Sequence, residues 1–206
     1  MKPLVDMVYL ASKSPRRRDL LRQIGVRFEV LMLRGEGARG LDVSETLHPG
    51  ESAPDYVARV THEKAAFGMN LVRIRHLAAH PILAADTCVV IDGAILGKPE
   101  NETAARAMLQ RLSGQTHQVL TAIALHHHNT VEQITQVSQV RFARLSPDTI
   151  NAYCATQEPY DKAGGYGIQG AAALFVEHIE GSYSGIMGLP LFETAQLLRR
   201  AGMTLL

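Results

Sequence analysis

Residues 7–25 read Met-Val-Tyr-Leu-Ala-Ser-Lys-Ser-Pro-Arg-Arg-Arg-Asp-Leu-Leu-Arg-Gln-Ile-Gly, and they predict the first elements of the fold. The stretch opens with an apolar run, residues 8–11, that has the length of a buried strand. Ser14 then occupies a helix N-cap, Pro15 the first helical position, and Gly25 the place where a helix stops. The order predicts a strand, a short loop and a helix.

Three consecutive arginines, Arg16, Arg17 and Arg18, occupy the first turn of that predicted helix. A helix N-terminus already carries partial positive charge and free N–H groups, so cations there are unfavourable unless an anion is bound. Arg17 also shares the apolar stripe of Leu20 and Leu21, which turns it toward the interior. A phosphate site is the favoured interpretation. A solvated basic helix start is the alternative.

The totals of the sequence limit the class of protein. A chain of 206 residues is one domain, 1–206, with room for two lobes around a central cleft. The formal net charge of +1 argues against a nucleic-acid partner, because non-specific binding to a polyanion needs a basic surface. Two cysteines are too few for a disulfide framework or a zinc cluster. The sequence contains no signal-peptide core or membrane span, so we expect a cytoplasmic protein without a membrane partner.

Two charged residues interrupt apolar patterns. Residues 53–77 have helical periodicity, and Lys64 lies on the apolar stripe, where it either snorkels to water or binds an anion. Asp86 interrupts the run 81–93, which is typical of a strand covered on both faces. A buried carboxylate must be protonated, paired, metal-bound or at a crevice, and we favour a functional role over a structural one. Asp92-Gly93 predicts a hairpin that returns Lys98 toward Asp86.

Strands that alternate with helices and later pair in hairpins predict an α/β fold, with a mixed twisted sheet flanked by helices. The first strand should end at the predicted phosphate-binding loop, residues 12–14, which we call the phosphate loop. The remaining predicted segments are a strand at 27–33, a loop at 34–49, a helix at 100–113, paired strands at 119–125 and 137–142 joined by a polar segment with three histidines, a helix at 147–154, a glycine-rich loop at 158–170, a strand at 171–179, a loop at 181–190 and a final helix at 191–200.

The glycine-rich loop, residues 158–170, is the predicted second half of the site. Its glycines let the backbone approach a ligand closely. Tyr166 supplies a stacking surface, and the amide of Gln169 has the donor and acceptor groups that read a base edge. Asp161 and Lys162 either pair with each other or contact the ligand.

A set of motifs in order along the chain strongly resembles the Maf family of nucleoside triphosphate pyrophosphatases, over essentially the whole sequence. The resemblance implies an inosine triphosphatase-like (Maf/Ham1-like) architecture and a homodimer. The motifs are Leu10-Ala-Ser-Lys-Ser-Pro-Arg-Arg17, Tyr56-Val-Ala-Arg59 with Lys64-Ala65, Ala85-Asp-Thr87, Gly97-Lys-Pro99, Leu112-Ser-Gly-Gln-Thr-His-Gln-Val119, Asp161-Lys-Ala-Gly-Gly-Tyr-Gly-Ile-Gln169 and Gly188-Leu-Pro190.

The glycine-rich loop at 158–170, the late loop, contains the sequence Tyr-x-Ile-Gln. This form resembles the family branch that hydrolyses dTTP and UTP rather than the branch that prefers 7-methyl-GTP. The resemblance implies a housecleaning role on noncanonical nucleotides. The resemblance implies these roles: Asp86 as general base; Arg17, Lys64 and Lys98 as phosphate-neutralising residues; Arg16, Thr87 and Gln169 as specificity positions; and Glu45 as a metal-site acid. We further expect Ser12, Ser14 and Tyr166 to contact the substrate, and Asp86 with Glu45 to hold Mg²⁺ or Mn²⁺.

Several alternatives stay open at this point. The predicted loop at 34–49, the early loop, is longer than is usual in the family, so Glu36 competes with Glu45 for the metal-site role. The amide and the ring of the late loop fit dTTP, UTP, CTP or modified pyrimidine nucleotides. A non-catalytic nucleotide-binding regulator of cell division needs the same phosphate pocket without a base. A phosphoryl transferase is disfavoured, because Gly93 to Lys98 lacks the spacing of a phosphate-binding loop.

Overall fold

The computed structural model describes residues 5–33 and 43–206. Within these residues, seven strands form one mixed sheet accompanied by six α-helices. The strands are β1 (Val8–Leu10), β2 (Phe28–Val30), β3 (Ile82–Ile91), β4 (Ala94–Leu96), β5 (Thr116–His127), β6 (Thr130–Phe142) and β7 (Val176–Glu180). The helices are α1 (Pro15–Gln23), α2 (Ala53–Ile74), α3 (Glu102–Leu112), α4 (Pro147–Cys154), α5 (Tyr183–Ile186) and α6 (Leu191–Arg200).

The strand order in the sheet is β2-β1-β3-β5-β6-β7, and β4 pairs with β3. β1 is parallel to both of its neighbours, whereas the later pairs are antiparallel. This confirms the predicted mixed sheet flanked by helices. Among the described helices, none combines the length and the apolarity that a membrane span requires. The assignment of the chain to a single domain stays a prediction.

One edge of β3 is shared by two short strands, with a gap between them. β1 pairs with the start of β3 at Ile82 and Leu83, and β4 pairs with its end at Val89–Ile91. Between these two ladders, residues 84–88 have no strand partner on that edge within the described chain. The other edge of β3 is paired with β5 along its length. The gap exposes the middle of a buried strand, and Asp86 lies there.

The two faces of β3 contact different helices, since successive side chains in a strand alternate. Ile82 and Ala84 pack in a cluster with residues of α2. Leu83 and Ala85 pack on the other face, in a cluster with residues of α1 and α6. Asp86 therefore faces α2, and the next residue faces α1.

Helix α1 forms as the sequence predicts. Ser14 has the extended backbone of an N-cap and Pro15 opens the helix, although the Ser14 side chain makes no capping hydrogen bond. The chain turns after the helix at Gly25, whose φ of 69° is accessible to glycine without strain. The first-turn N–H groups of α1 are therefore not capped by Ser14.

The prediction of a strand at 171–179 is wrong in its first half. Residues Ala171–Phe175 form a 3₁₀ turn, and the strand runs from Val176 to Glu180. The buried residues of the turn, Ala172 and Phe175, are three apart, which is a helical spacing. The composition of this short alanine-rich run is compatible with both a 3₁₀ turn and a strand, so it does not predict which of the two forms.

Other predicted boundaries shift as well. The predicted loop at 181–190 contains α5, because Ser182 caps it by accepting a hydrogen bond from Gly185 N at 3.0 Å. The predicted loop at 158–170 contains 3₁₀ turns at Glu158–Asp161 and Ala163–Gly165. The predicted strand at 27–33 is shorter, as β2. The predicted strands 119–125 and 137–142 are longer, because β5 and β6 stay paired from Thr116 to His127.

The close approach of α2 to the sheet depends on Gly68. A Cβ at this position would lie 2.7 Å from Ile82 Cγ2 and 3.3 Å from Leu31 Cδ2. We expect Gly68→Ala to lower the free energy of unfolding by about 1–2 kcal/mol, since overpacking outweighs the helix propensity gained. Urea denaturation measures this. Asn70→Ala, at an exposed position of the same helix, is the control and should be neutral or stabilising. Equal stabilisation by both substitutions would contradict the close contact.

Candidate active site

A cavity of about 840 Å³ opens at the gap in the edge of β3. It brings together residues from β3, α1, α2, the early loop, the turn after β4 and the late glycine-rich loop. Every site residue predicted within the described chain lines this cavity: Ser12, Ser14, Arg16, Arg17, Glu45, Lys64, Asp86, Thr87, Lys98, Tyr166 and Gln169. The competing acid Glu36 lies outside the described residues.

The centre of the cavity is an ammonium between two carboxylates. Lys64 Nζ lies 2.7 Å from Asp86 Oδ1 and 2.6 Å from Glu45 Oε1. The side chains of Lys64 and Asp86 are 12% and 13% exposed, whereas that of Glu45 is 54% exposed. The sequence left open whether Lys64 snorkels to water or binds an anion. In the structure its Nζ atom contacts two carboxylates of the protein rather than bulk water. Asp86 is paired, which explains how a carboxylate interrupts an apolar strand.

The charge of Glu45 is set by its neighbours. Burial raises the pKa of the Glu45 carboxyl, but Lys64, Lys98 and Arg17 together hold that pKa below its ordinary value. Glu45 is therefore a carboxylate at neutral pH. The same cations that would attract phosphate thus keep this acid ionised.

Arg17 is fixed on the α1 face of the sheet by three hydrogen bonds. Its Nε donates to Gly188 O at 2.7 Å, and its Nη1 and Nη2 donate to Ser12 Oγ and Thr87 Oγ1 at 3.1 Å each. Burial lowers the pKa of the Arg17 guanidinium below its ordinary value, while Asp86 opposes and Arg16 adds to this effect. The guanidinium links the phosphate loop, β3 and the segment before α6.

A buried hydroxyl behind Thr87 was missed by the sequence reasoning. Thr121 Oγ1 donates to Gly185 O at 2.8 Å, and the Thr87 and Thr121 hydroxyls are 2.9 Å apart. Because a carbonyl only accepts, the Thr121 proton is committed to Gly185 and Thr87 must donate to Thr121. Arg17 then donates to Thr87, so the chain of hydrogen bonds has one direction. The sequence contained one sign of this site, since Thr121 is the polar residue in the apolar run 119–125.

The phosphate loop is joined to the late loop across the mouth of the cavity. Ser12 Oγ accepts from Ser14 N at 3.2 Å, in addition to its bond from Arg17. Arg16 Nη1 lies 3.9 Å from Asp161 Oδ2, and the other carboxylate oxygen of Asp161, Oδ1, pairs with Lys162 Nζ. The sequence left open whether Asp161 and Lys162 pair with each other or contact the ligand; in the structure they pair, and both line the cavity.

Lys98 reaches the gap because β4 runs antiparallel to β3. Leu96 is paired with Val89, so the residues that follow it continue along the edge of β3 toward Asp86. Gln169 lines the same cavity from the late loop. Both placements follow from the hairpin and the loop that the sequence predicts.

Tyr166 belongs to the wall of the cavity and to the core behind it. Its side chain is 5% exposed, and its hydroxyl lies 2.8 Å from Nε2 of His117, which is 1% exposed. Both rings also make edge contacts with Phe142. His117 lies in one of the motifs that carry the family resemblance, but no role was predicted for it. Its partner lies 49 positions away, so the sequence does not show the contact.

The described residues contain no cluster of three or more His, Cys, Asp or Glu side chains that could hold a metal. Of the three acids that line the cavity, Asp86 and Glu45 are brought together by Lys64, whereas Asp161 pairs with Arg16 and Lys162. Mg²⁺ in proteins often binds one or two carboxylates and takes its other ligands from water and substrate phosphates. The donor set therefore fits a hard cation bound together with a phosphorylated ligand.

The two thiols are free and buried. Burial, with a contribution from Asp86, raises the pKa of the Cys88 thiol to about 12. Cys88 is therefore a neutral side chain in the cavity wall at physiological pH.

The fold and this site define an α/β protein with a cleft suited to a polyphosphate ligand, since cations surround two carboxylates at the broken edge of a sheet. The chain belongs to the Maf family. The family model described as "Maf-like protein" matches residues 7–201, which confirms the resemblance seen in the motifs.

Curated relatives match along the whole chain. A protein of Aromatoleum aromaticum named dTTP/UTP pyrophosphatase is 54% identical over 206 residues, which are 100% of both chains. A protein of Nitrosomonas europaea with the same name is 51% identical and covers 98% of each chain. Among solved structures, the Staphylococcus aureus Ham1 protein aligns over 66% of this chain and 72% of its own, at 16% identity and a TM-score of 0.41.

The buried His117 predicts a pH dependence of stability. Burial lowers the pKa of His117 to about 4, whereas a histidine in the unfolded chain titrates near 6.5. The unfolded state binds more protons between these values, so the free energy of unfolding should fall by roughly 3 kcal/mol as the pH decreases through this window. Urea denaturation across the window measures the slope. His117→Gln should flatten it, and the exposed His178→Gln should not. An unchanged slope in His117→Gln would contradict the assignment.

Proposed function

We propose that this protein is a nucleoside triphosphate pyrophosphatase that hydrolyses dTTP and UTP to the monophosphate and pyrophosphate. The observation that carries the proposal is the ammonium of Lys64 between Asp86 and Glu45, in a cavity that also holds Arg17 and Lys98. Such a site offers both a base and the cations that a triphosphate requires. The names of the full-length relatives support the substrate class.

The reaction breaks the anhydride between the α and β phosphates. The oxygen of a water molecule forms a bond to phosphorus, and the bridging oxygen leaves with its electron pair on the other product. Asp86 accepts the proton of the attacking water as general base. Its place in the gap supports this role, because strand pairing leaves the middle of β3 open toward the cavity.

The positive side chains stabilise charge on the phosphates in distinct ways. Lys64 and Lys98 neutralise charge near the acids, as point charges on flexible stems. Arg17 uses all three of its nitrogens in bonds to the protein, so it also orients Ser12 and Thr87 at the phosphate loop. Arg16 and Ser14 lie at the start of α1, whose free N–H groups favour an anion.

A divalent cation, Mg²⁺ or Mn²⁺, is part of the proposal. Asp86 and Glu45 would hold it, and when bound it supplies charge neutralisation on the phosphate oxygens. The support is the pair of carboxyl groups, of Asp86 and Glu45, that both lie within 2.7 Å of the Lys64 Nζ atom. Full activity in excess chelator would contradict this part.

Selection of the base is assigned to the late loop. Gln169 reads the pyrimidine edge through its amide, and the Tyr166 ring forms the adjoining wall. The choice among dTTP, UTP, CTP and modified pyrimidine nucleotides is decided by the same product assay that tests the function. A preference for modified pyrimidines would support a housecleaning role.

Assembly and location complete the proposal. The protein acts in the cytoplasm, as expected from a sequence in which we find no signal-peptide core or membrane span. It acts as a homodimer, an expectation that rests on the likeness to the Maf family. Sedimentation equilibrium tests the dimer, and cell fractionation tests the location. A monomer across the concentration range of the assay would contradict the first of these.

The substitution Asp86→Asn tests the function directly. It is nearly isosteric but removes the base and one ionic partner of Lys64. We expect turnover of dTTP and UTP to fall at least about a hundredfold, in line with the loss of a general base. The assay resolves monophosphate, pyrophosphate and orthophosphate for a panel of nucleoside triphosphates with Mg²⁺ or Mn²⁺. Asp92→Asn, in the exposed turn after β3, is the matched control and should keep wild-type turnover.

Three outcomes decide among the functions. Monophosphate and pyrophosphate from wild type, lost in Asp86→Asn, support the pyrophosphatase. Near-normal turnover in a folded Asp86→Asn protein rules out the base. Nucleotide binding without turnover by wild type favours a non-catalytic regulator.

A further inference from the structure

The segment 43–51 brings Glu45 to the active site without regular secondary structure of its own. The Glu45 side chain is 54% exposed, so packing against it holds it only weakly. Its carboxylate nevertheless lies 2.6 Å from Lys64 Nζ. Burial of the side chain therefore does not explain how the backbone around Glu45 is held in place.

Three consecutive carbonyls of the segment are held by two side chains of α2. Arg59 Nη1 donates to Ser44 O at 3.5 Å, and Arg59 Nη2 donates to Thr46 O at 3.0 Å. Between them, the hydroxyl of Tyr56 donates to Glu45 O at 3.0 Å. Tyr56 and Arg59 are three residues apart, so they lie on the same side of the helix. The backbone on both sides of Glu45 is therefore tied to α2.

Arg59 is itself oriented by Glu51 at the other end of the segment. Its Nε and Nη2 contact the two carboxylate oxygens of Glu51 at 2.6 and 2.9 Å, in the two-pronged geometry specific to arginine. Glu51 also accepts from His48 N at 3.1 Å. Hydrogen bonding to Arg59 lowers the pKa of Glu51 to about 2, so the pair stays ionised at neutral pH.

We propose that Arg59 is a positioning residue of the active site: it holds the backbone at 44–46 so that the Glu45 carboxylate faces Lys64 and Asp86. Arg59 acts on the reaction only through Glu45, because its own guanidinium is occupied by Glu51, Glu63 and the carbonyls. Tyr56 assists through the single bond to Glu45 O. The proposal rests on the proposed function for the role of Glu45, but the structural part stands without it.

The test compares Arg59→Lys with wild type by hydrogen–deuterium exchange. Lysine keeps the charge but lacks the fork, so we expect exchange in peptides covering 43–51 to rise about tenfold or more, with the melting temperature near that of wild type. Arg106→Lys is the control, because Arg106 pairs with Glu102 at an exposed site in α3. Unchanged exchange at 43–51 in Arg59→Lys overturns the proposal.

A second readout ties the effect to Glu45. We expect the Mn²⁺ concentration for half-maximal turnover to rise about tenfold in Arg59→Lys, the usual scale when support for a metal-binding acid is lost. In a Glu45→Gln background, Arg59→Lys should cause no further rise. A further rise in that background overturns the proposal, since Arg59 would then act by another route. Absence of turnover in wild type defeats the proposed function, and the exchange comparison still decides whether Arg59 holds the segment.

Discussion

The ammonium of Lys64 lies 2.7 Å from Asp86 and 2.6 Å from Glu45, and the three groups come from a helix, a strand and a loop. A buried carboxylate without a partner costs several kcal/mol, so the apolar strand β3 tolerates Asp86 only because Lys64 arrives from α2. Lys64 in turn keeps Glu45 ionised, together with Lys98 and Arg17. The site is therefore an electrostatic unit in which each group depends on the others.

The topology of the sheet decides where that unit can lie. β1 and β4 share one edge of β3 and leave residues 84–88 without a strand partner between them. Alternation along β3 then sends Asp86 toward α2 and Thr87 toward α1. The gap opens into the cavity, which is lined by cations from both α1 and α2. A continuous partner strand would close the gap and separate the two halves.

The sequence predicted those site residues whose charge stands out from the pattern of their immediate neighbours. Asp86 stands out in an apolar strand, Lys64 stands out on an apolar helical stripe, and Arg17 opposes the dipole of its own helix. No role was predicted for Thr121, His117 or Arg59, because the role of each depends on a partner brought close by folding. The turn at 171–175 was predicted as strand. Its two buried residues are three positions apart, but a run of five residues is too short for this helical spacing to be recognised. The position of Glu45 could not be predicted, because it depends on contacts between the backbone at 44–46 and side chains of α2.

The most direct test of the account is a crystal structure of the protein with Mg²⁺ and the hydrolysis-resistant UTP analogue α,β-imido-UTP. The account predicts that the triphosphate lies in the gap at the edge of β3, with its α phosphate beside Asp86 and its oxygens contacting Lys98, Lys64 and the start of α1. The metal should bind oxygens of Asp86 and Glu45. A triphosphate bound away from Lys64 and Asp86, or a metal that leaves both carboxylates untouched, would contradict the central role given to this charged group.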